Sequence, residues 1–179
     1  VLITENSTIG DGFYQGSGGG IYCSSNSNLI FSSENRCNIY SNNRQNRGPG
    51  ADIYSNSFIE VIVDTFTVIN PTGYHASPLE NFTFDILHAV NEQVDADLYV
   101  SSSGDNSNDG LTPQTPLKTI QHATSIILAD SLHPHTIYLA EGIYSPTTNG
   151  EYLPVELVNF VSLIGMSEES VILDAEGVT

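Results

Sequence analysis

The first third of the chain contains one short motif three times, an Ile-Tyr pair followed by small polar residues. The copies are IYCSSNS (21–27), NIYSNN (38–43) and DIYSNS (52–57). Two glycine-led stretches, GGGIY at 18–22 and GPGADIY at 48–54, frame a longer unit of roughly 30 residues in which Gly18 corresponds to Gly48. Such a period indicates a repeat architecture, in which stacked units bury an apolar face that one unit cannot bury alone.

The apolar segments of this region are short and rich in β-branched and aromatic residues, as is typical of strands. They are LIT (2–4), NLIF (28–31), CNIY (37–40), DIY (52–54) and FIEVIV (58–63). Gly, Asn and Ser stand between them, and these residues tolerate the left-handed backbone angles that sharp corners require. The pattern predicts an all-β solenoid. An antiparallel sandwich with polar loops is the alternative, which the repeated spacing disfavours.

Two stretches resemble secreted right-handed parallel β-helix proteins of the pectate-lyase-like superfamily. The first is GSGGGIYCSSNSNLIF with NRCNIYSNN, within residues 1–63. The second, DLYVSSSGDNSNDG, TPLKTIQHA, TIYLAEGIYS, VSLIG and VILDA within 97–175, resembles the N-terminal cap module of such proteins. The resemblance implies a right-handed parallel β-helix. It implies no particular activity, because the superfamily contains lyases, hydrolases, adhesins and structural proteins.

One amphipathic capping helix is predicted near residues 116–130. Thr115 is a candidate N-cap and Pro116 a candidate first helical residue. Apolar residues then recur mostly every three or four positions, at Leu117, Ile120, Ala123, Ile127 and Leu128. Short strands are predicted to follow at 136–140, 155–157, 160–165 and 170–175.

The predicted cap stands in the middle of the chain. We therefore expect solenoid coils without a cap at 1–63, a β-rich connector at 64–97 with strands at 66–69 and 82–87, and the cap with the first coils at 98–179. Both terminal coils would then expose apolar side chains and strand edges, which are aggregation sites unless they are covered. The predicted assembly interface comprises Val1, Leu2, Ile3, Val171, Ile172 and Leu173.

Three arrangements would cover these ends. The Thr179 end of one chain can stack onto the Val1 end of the next, which builds a fibre. The two ends can meet within one chain as a circularly permuted monomer, or the sequence can be one period of a longer tandem array. We expect the fibre or array, and hence an extracellular structural subunit whose partners are copies of itself, with adhesion as an additional role.

The charge of the chain limits its other partners. Four Lys and Arg residues stand against 21 Asp and Glu residues, giving a net charge of −17. Nucleic acid and anionic membrane surfaces are therefore disfavoured, because both require clustered basic residues. No apolar run approaches the about 18 residues of a membrane-spanning helix. A polar surface made mainly of Ser, Thr, Asn and Gly suits a secreted or cell-surface β-rich protein.

A calcium site is the strongest candidate for bound chemistry. Asp105, Ser107 and Asp109 alternate in GDNSNDG, and Gly110 follows, as in the oxygen-rich start of a calcium loop. The bidentate glutamate that closes such a loop is missing, because Pro116 stands at its position. A turn whose Asp and Asn side chains bond their own backbone explains the same residues.

No catalytic residues are assigned. The alternative function, a carbohydrate-binding or polysaccharide-cleaving lyase-like β-helix, would need an Asp cluster and a basic residue in a lateral groove. Arg44 and Arg47 with Asp52 are the candidates, although a solvated corner loop is the favoured explanation of the two arginines.

Other potential ligands give weaker signals. His133 and His135 would share a face of a strand, as zinc ligands can, but Pro134 indicates a turn there. Cys23 and Cys37 can form a disulfide or remain free thiols, and the sequence leaves both alternatives open.

Overall fold

The computed structural model describes residues 1–8, 18–25, 28–44 and 49–177. The chain divides into two compact units, Val1–Gln93 and Val94–Thr179. Its regular structure is mostly strand, as predicted, and the described strands pair only in parallel. Among the described residues, no helix is long and apolar enough to cross a membrane.

The described part of the first unit contains nine strands in three sheets. Their orders are β1-β4-β7-β9, β3-β6-β8 and β2-β5, so consecutive strands belong to different sheets and the chain visits the sheets in turn. The strands are β1 (Leu2–Thr4), β2 (Ser7–Thr8), β3 (Ile21–Cys23), β4 (Cys37–Tyr40), β5 (Asn43–Arg44), β6 (Ile53–Ser55), β7 (Ile59–Phe66), β8 (Ala76–Ser77) and β9 (Phe82–Ala89), with a 3-10 turn at Leu79–Asn81.

The repeated motif pairs with itself, although its glycines match differently from the prediction. Strand β3 pairs in register with β6, so that Ile21 lies beside Ile53. Gly18 and Gly50 each stand three residues before those isoleucines, with positive φ angles of 64° and 75°. The counterpart of Gly18 is therefore Gly50, and Gly48 lies outside the described residues. The motif copy at 38–43 contributes β4 to a different sheet.

Alternating side chains of these strands form the core of the first unit. Along β7, residues of one face are buried and their neighbours are more exposed, as expected for a sheet with one inward face. The cluster of buried apolar residues comprises Cys23, Ile39, Ile53, Ile59, Val61, Val63, Phe66, Ala76 and Phe82.

The second unit contains five strands and the helix α1 (Ile120–Ile126) in its described part. The sheets are β10-β11-β13 and β12-β14, and both are parallel. The strands are β10 (Leu98–Val100), β11 (His135–Leu139), β12 (Gly142–Tyr144), β13 (Val161–Gly165) and β14 (Val171–Leu173). The fully buried side chains of this unit include Leu98, Leu117, Ile120, Ile137 and Tyr144.

Helix α1 lies in the predicted region but begins later than predicted. Thr119 is the N-cap, and its hydroxyl accepts a hydrogen bond from the His122 N–H. The segment that includes Leu117 is extended instead, because it pairs with β10. The Leu117 N–H donates to the Tyr99 carbonyl, and the Ser101 N–H donates to the Leu117 carbonyl. Thr115 and Pro116 therefore lie outside the helix.

Three predicted strands, at 28–31, 66–69 and 155–157, are absent as separate strands from the structure. Residue 66 instead ends β7. The predicted connector at 64–97 supplies the end of β7 together with β8 and β9. Strand β9 pairs with β7 along nearly its whole length, so most of the connector belongs to the first unit.

Candidate functional site: the open sheet edges

Strand β1 is an edge strand, hydrogen-bonded to β4 on one side. The Asn38 N–H donates to the Val1 carbonyl at 2.9 Å. Leu2 is 57% exposed. Ile3 lies in register with the fully buried Ile39 and packs against the core of the unit, so its side chain points inward. Ile3 is nevertheless only half-buried, and no described strand pairs with the other side of β1.

Strands β13 and β14 are edge strands of the second unit. Leu173 of β14 lies in register with Tyr144, which is fully buried, so Leu173 points toward the inside of the unit. It is still 45% exposed, and the neighbouring Val171 is half-buried. Ile172 is 48% exposed and lies in register with the exposed Ile143, which places it on the outer face.

The opposite edge of the second unit is covered. Strand β10 bonds to β11 on one side, and on the other the Tyr99 N–H donates to the Gly110 carbonyl. Leu117 and Ile120 are fully buried beyond it. The segment at 110–120 therefore protects one edge of the sheet, whereas no described strand pairs with the other side of β13.

The first unit has a second edge strand, which the predicted interface does not include. Strand β9 is last in the order β1-β4-β7-β9, and its Leu87 is 52% exposed. Phe84 and Ile86 of β9 pack only partly against the core. The alternation of apolar and polar residues in FTFDIL, which the sequence analysis assigned to the connector, could have identified this edge strand.

A network centred on Asn42 holds the turn after β1. The Asn6 N–H and Nδ2 both donate to Asn42 Oδ1, at 3.1 and 3.0 Å. Asn42 Nδ2 donates to the Ile3 carbonyl at 3.1 Å, and the Asn42 N–H and Nδ2 donate to Asp52 Oδ1 at 3.2 Å each. The sequence analysis missed this network. The sequence feature that could have identified it is the spacing of the two asparagines. Asn6 and Asn42 each stand two residues after the end of a strand, and those strands, β1 and β4, pair with each other.

Asp52 is fully buried at the end of this network. Its Oδ1 accepts both bonds from Asn42, whereas its Oδ2 has no hydrogen-bond partner among the described residues. Burial raises the pKa of Asp52 to about 7, against the lowering effect of the neighbouring Thr67 hydroxyl and of the hydrogen bonds from Asn42. A carboxyl group in this position does not face a solvent-filled groove. The Arg44 side chain and Arg47, its suggested companions, lie outside the described residues.

The predicted calcium residues make hydrogen bonds within their own loop. Asp105 Oδ1 accepts from the Ser107 N–H at 2.8 Å. Asp109 Oδ1 accepts from the Leu111 N–H at 3.1 Å and from the Thr115 hydroxyl at 2.6 Å. Hydrogen bonds from Ser107 and Thr115 lower the pKa values of the respective carboxyls.

A turn stabilised by its own side chains accounts for these residues. In the part of the chain that the structure describes, no three His, Cys, Asp or Glu side chains are grouped to hold a metal. The calcium site at Asp105, Ser107 and Asp109 stays a prediction.

Glu151 is a buried acid that the sequence analysis did not identify. Its Oε2 accepts from the Ile120 N–H at 2.6 Å, and its Oε1 accepts from the Gln121 N–H at 3.0 Å. These are the first two N–H groups of α1, so a distant loop supplies the acceptors that a helix N-terminus lacks. Burial raises the pKa of Glu151 above its ordinary value. Only the tertiary fold brings Glu151 to the helix.

The remaining candidate ligand residues, two histidines and two cysteines, do not form a shared site among the described residues. His133 lies in an exposed turn and contacts Asp130, whereas His135 begins β11 and contacts Asp95 through Nε2 at 2.8 Å. Cys23 and Cys37 are both free thiols, and Cys23 is buried.

Comparison with known proteins gives one match. Residues 102–171 match the family described as "Protein of unknown function (DUF1565)", which is associated with parallel β-helix proteins. No curated protein and no solved structure matches the chain. The matched segment lies within the second unit and includes the loop at 102–110, the helix α1 and strands β11 to β13.

Proposed function

We propose that the chain is a secreted structural subunit built of right-handed parallel β-helices. We further propose that its copies stack head-to-tail, with the Thr179 end of one on the Val1 end of the next, as a fibre or tandem array. Two observations support the β-helix. The chain alternates between parallel sheets throughout the described first unit and from β11 onward in the second, and residues 102–171 of the second unit match a family associated with parallel β-helix proteins.

The stacking proposal rests on one observation, the partial exposure of inward-pointing apolar residues on the edge strands β1 and β14. Ile3 on β1 and Leu173 on β14 occupy positions whose register partners, Ile39 and Tyr144, are fully buried. A further parallel coil on each edge would bury them in the same way and would satisfy the free backbone groups of the edge strands.

The two edges are different surfaces, so the contact between them is heterologous. A heterologous contact that does not close into a ring produces an open linear polymer. The same contact would join successive periods if the sequence is repeated within one longer chain. The excess of acidic residues and the scarcity of Lys and Arg support a partner other than nucleic acid, and the Ser, Thr, Asn and Gly content supports a secreted protein.

Two adjacent residues of β14 provide the test. We expect Leu173→Lys to abolish assembly, because it places a charge where the next coil must pack. Ile172→Lys is the matched control: it puts the same side chain on the outer face of the same strand and should leave assembly intact. Leu87→Lys on the exposed face of β9 should also leave it intact.

Assembly is measured by sedimentation and by electron microscopy of the purified chain. Filaments from the wild type and the two control variants, with monomers from Leu173→Lys, would support the proposal. A wild-type particle that remains a 19.3 kDa monomer at high concentration would refute it. So would release of unsaturated, ultraviolet-absorbing sugars from an acidic polysaccharide, since that activity indicates the lyase alternative.

A further inference from the structure

Resting on the proposed head-to-tail stacking, we propose which strands meet at the contact between copies. Strand β13 of one copy pairs in parallel with β1 of the next, and β14 pairs with β2. Leu163 of β13 then lies beside Ile3 of the next copy. This pairing continues two parallel sheets of one copy directly into two parallel sheets of the other.

The corners between strands indicate which sheets correspond. Two residues separate β1 from β2, β4 from β5 and β11 from β12. By this spacing, the sheet β10-β11-β13 corresponds to the sheet β1-β4-β7-β9, and the sheet β12-β14 corresponds to the sheet β2-β5. The corner from β13 to β14 is longer, yet β14 still pairs in register with β12, so the last coil keeps both sheets.

Each of the four strands at the contact has a described partner strand on one side only. Strand β13 pairs with β11, β14 with β12, β1 with β4 and β2 with β5. The proposed pairing satisfies the backbone groups on the other side of all four strands. If β14 lay beside β1 instead, β13 would correspond to the sheet β3-β6-β8, whose strands precede β4, β7 and β9, and β2 would meet no described strand of the second unit.

The inward side chains match across this pairing. Leu163 lies in register with Ile137 and Ile3 with Ile39, and both of these register partners are fully buried. Leu163 and Ile3 are themselves only half-buried. Placing them side by side produces one column of inward apolar residues, which runs through Leu98, Ile137 and Leu163 of one copy and Ile3, Ile39 and Phe66 of the next.

The register is fixed by the alternation of the two strands. A shift of one residue would turn the inward residues of one strand toward the outer face of the other. A shift of two would place Gly165, which has no side chain, beside Ile3. With Leu163 beside Ile3, residues 161–164 face residues 1–4 one to one. On the outer face, Ser162 then lies beside Leu2 and Ile164 beside Thr4.

Disulfide trapping between copies tests the pairing. Register positions on adjacent parallel strands have Cα atoms about 4.8 Å apart, within the range of a disulfide, whereas positions two residues out of register are about 8 Å apart and outside it. The variants Leu2→Cys, Thr4→Cys, Ser162→Cys and Ile164→Cys each carry one introduced cysteine on the outer face. Leu2, Ser162 and Ile164 are exposed, so their replacement leaves the core intact.

Pairs of variants are mixed before assembly, in high salt that screens the net charge of −17 on each copy, and then oxidised. We expect disulfide-linked dimers from Leu2→Cys with Ser162→Cys, and from Thr4→Cys with Ile164→Cys. The two swapped mixtures and each variant alone should stay at the background of the wild type, which contains the same native thiols. Because the linked cysteines come from different variants, such a dimer cannot arise within one chain.

The remaining outcomes separate the pairing from the stacking function. Leu2→Cys with Ile172→Cys tests the arrangement with β14 beside β1. A link in that mixture or in a swapped mixture overturns the proposed pairing and leaves stacking standing, as do filaments without any link. If Leu2→Cys does not assemble when reduced, the independent pair Thr4→Cys and Ile164→Cys decides. A wild-type chain that forms no filaments in sedimentation refutes the stacking function and this pairing with it.

Discussion

Replacing Glu151 with alanine should destabilise the second unit, because the carboxylate completes the N-terminus of α1. The change removes the acceptors of the Ile120 and Gln121 N–H groups. Neither group has an intrahelical acceptor, because the first N–H groups of a helix never do. Thr119 does not compensate, since its hydroxyl caps the His122 N–H.

The magnitude follows from the two bonds and the burial of the acid. A hydrogen bond to a charged acceptor contributes about 1.5–3 kcal/mol, so the pair contributes about 3–6 kcal/mol. The cost of burying the carboxylate, which also raises the pKa of Glu151, offsets part of this. We expect Glu151→Ala to lower the free energy of unfolding by about 2–4 kcal/mol. Glu151→Gln, which keeps one acceptor, should cost about half as much.

Urea unfolding of the full chain at pH 7 gives the overall change, and hydrogen exchange locates it. The Ala123 and Ile127 amides, which donate within the helix and its C-cap, should lose protection first. Glu168→Ala is the matched control, because it removes an exposed carboxylate from the same unit and should change stability by less than about 0.5 kcal/mol. A Glu151→Ala effect as small as that of Glu168→Ala would refute the capping role.

Three further predictions concern single contacts. Tyr144→Phe removes the hydroxyl that donates to two backbone carbonyls and should lower the free energy of unfolding in urea by about 1–2 kcal/mol. In the wild type, burial raises the pKa of Tyr144 to about 12, and an ultraviolet titration of the phenol measures it. Gly50→Ala forces a side chain into a backbone with φ of 75° and against the Ile53 carbonyl oxygen, and should cost at least about 1–2 kcal/mol, whereas Gly73→Ala, in open space, should be nearly neutral. Arg36 lowers the pKa of Asp85 through a direct hydrogen bond, so this pair stabilises the first unit above the ordinary Asp pKa of 3.8, and the benefit is lost as the pH falls through the folded value. Arg36→Gln should therefore lower the urea midpoint more at pH 7 than at pH 2, where only the bonds of Arg36 to the Val63 and Asp85 carbonyls are lost.

The sequence predicted the strands well where local composition decides the structure. CNIY and LYV form strands with the predicted bounds, at Cys37–Tyr40 and Leu98–Val100. The helix was placed correctly but began too early, because Leu117 bonds to β10 rather than joining the helix. Local periodicity contains no information about that partner.

Long-range polar contacts were not predictable in the same way. Glu151 reaches α1 only because the strands between them fold back, and no spacing rule connects the two. Asp52 was considered as a solvent-facing acid, since sequence does not reveal on which side of a corner a carboxylate lies. The sequence predicted Gly48 as the counterpart of Gly18, whereas the structure makes it Gly50. The motif alone does not determine which residues lie side by side across the sheet.

The parallel pairing of strands that are far apart in sequence has a consequence for engineering. Leu2 aligns with Asn38, whereas Ile59 aligns with Phe82, so the segments joining successive partners already differ in length while the sheets continue unbroken. Foreign peptides grafted into those joining segments should therefore be displayed without disturbing the scaffold. One residue added within a strand such as β7 would instead turn every following side chain of that strand to the opposite face.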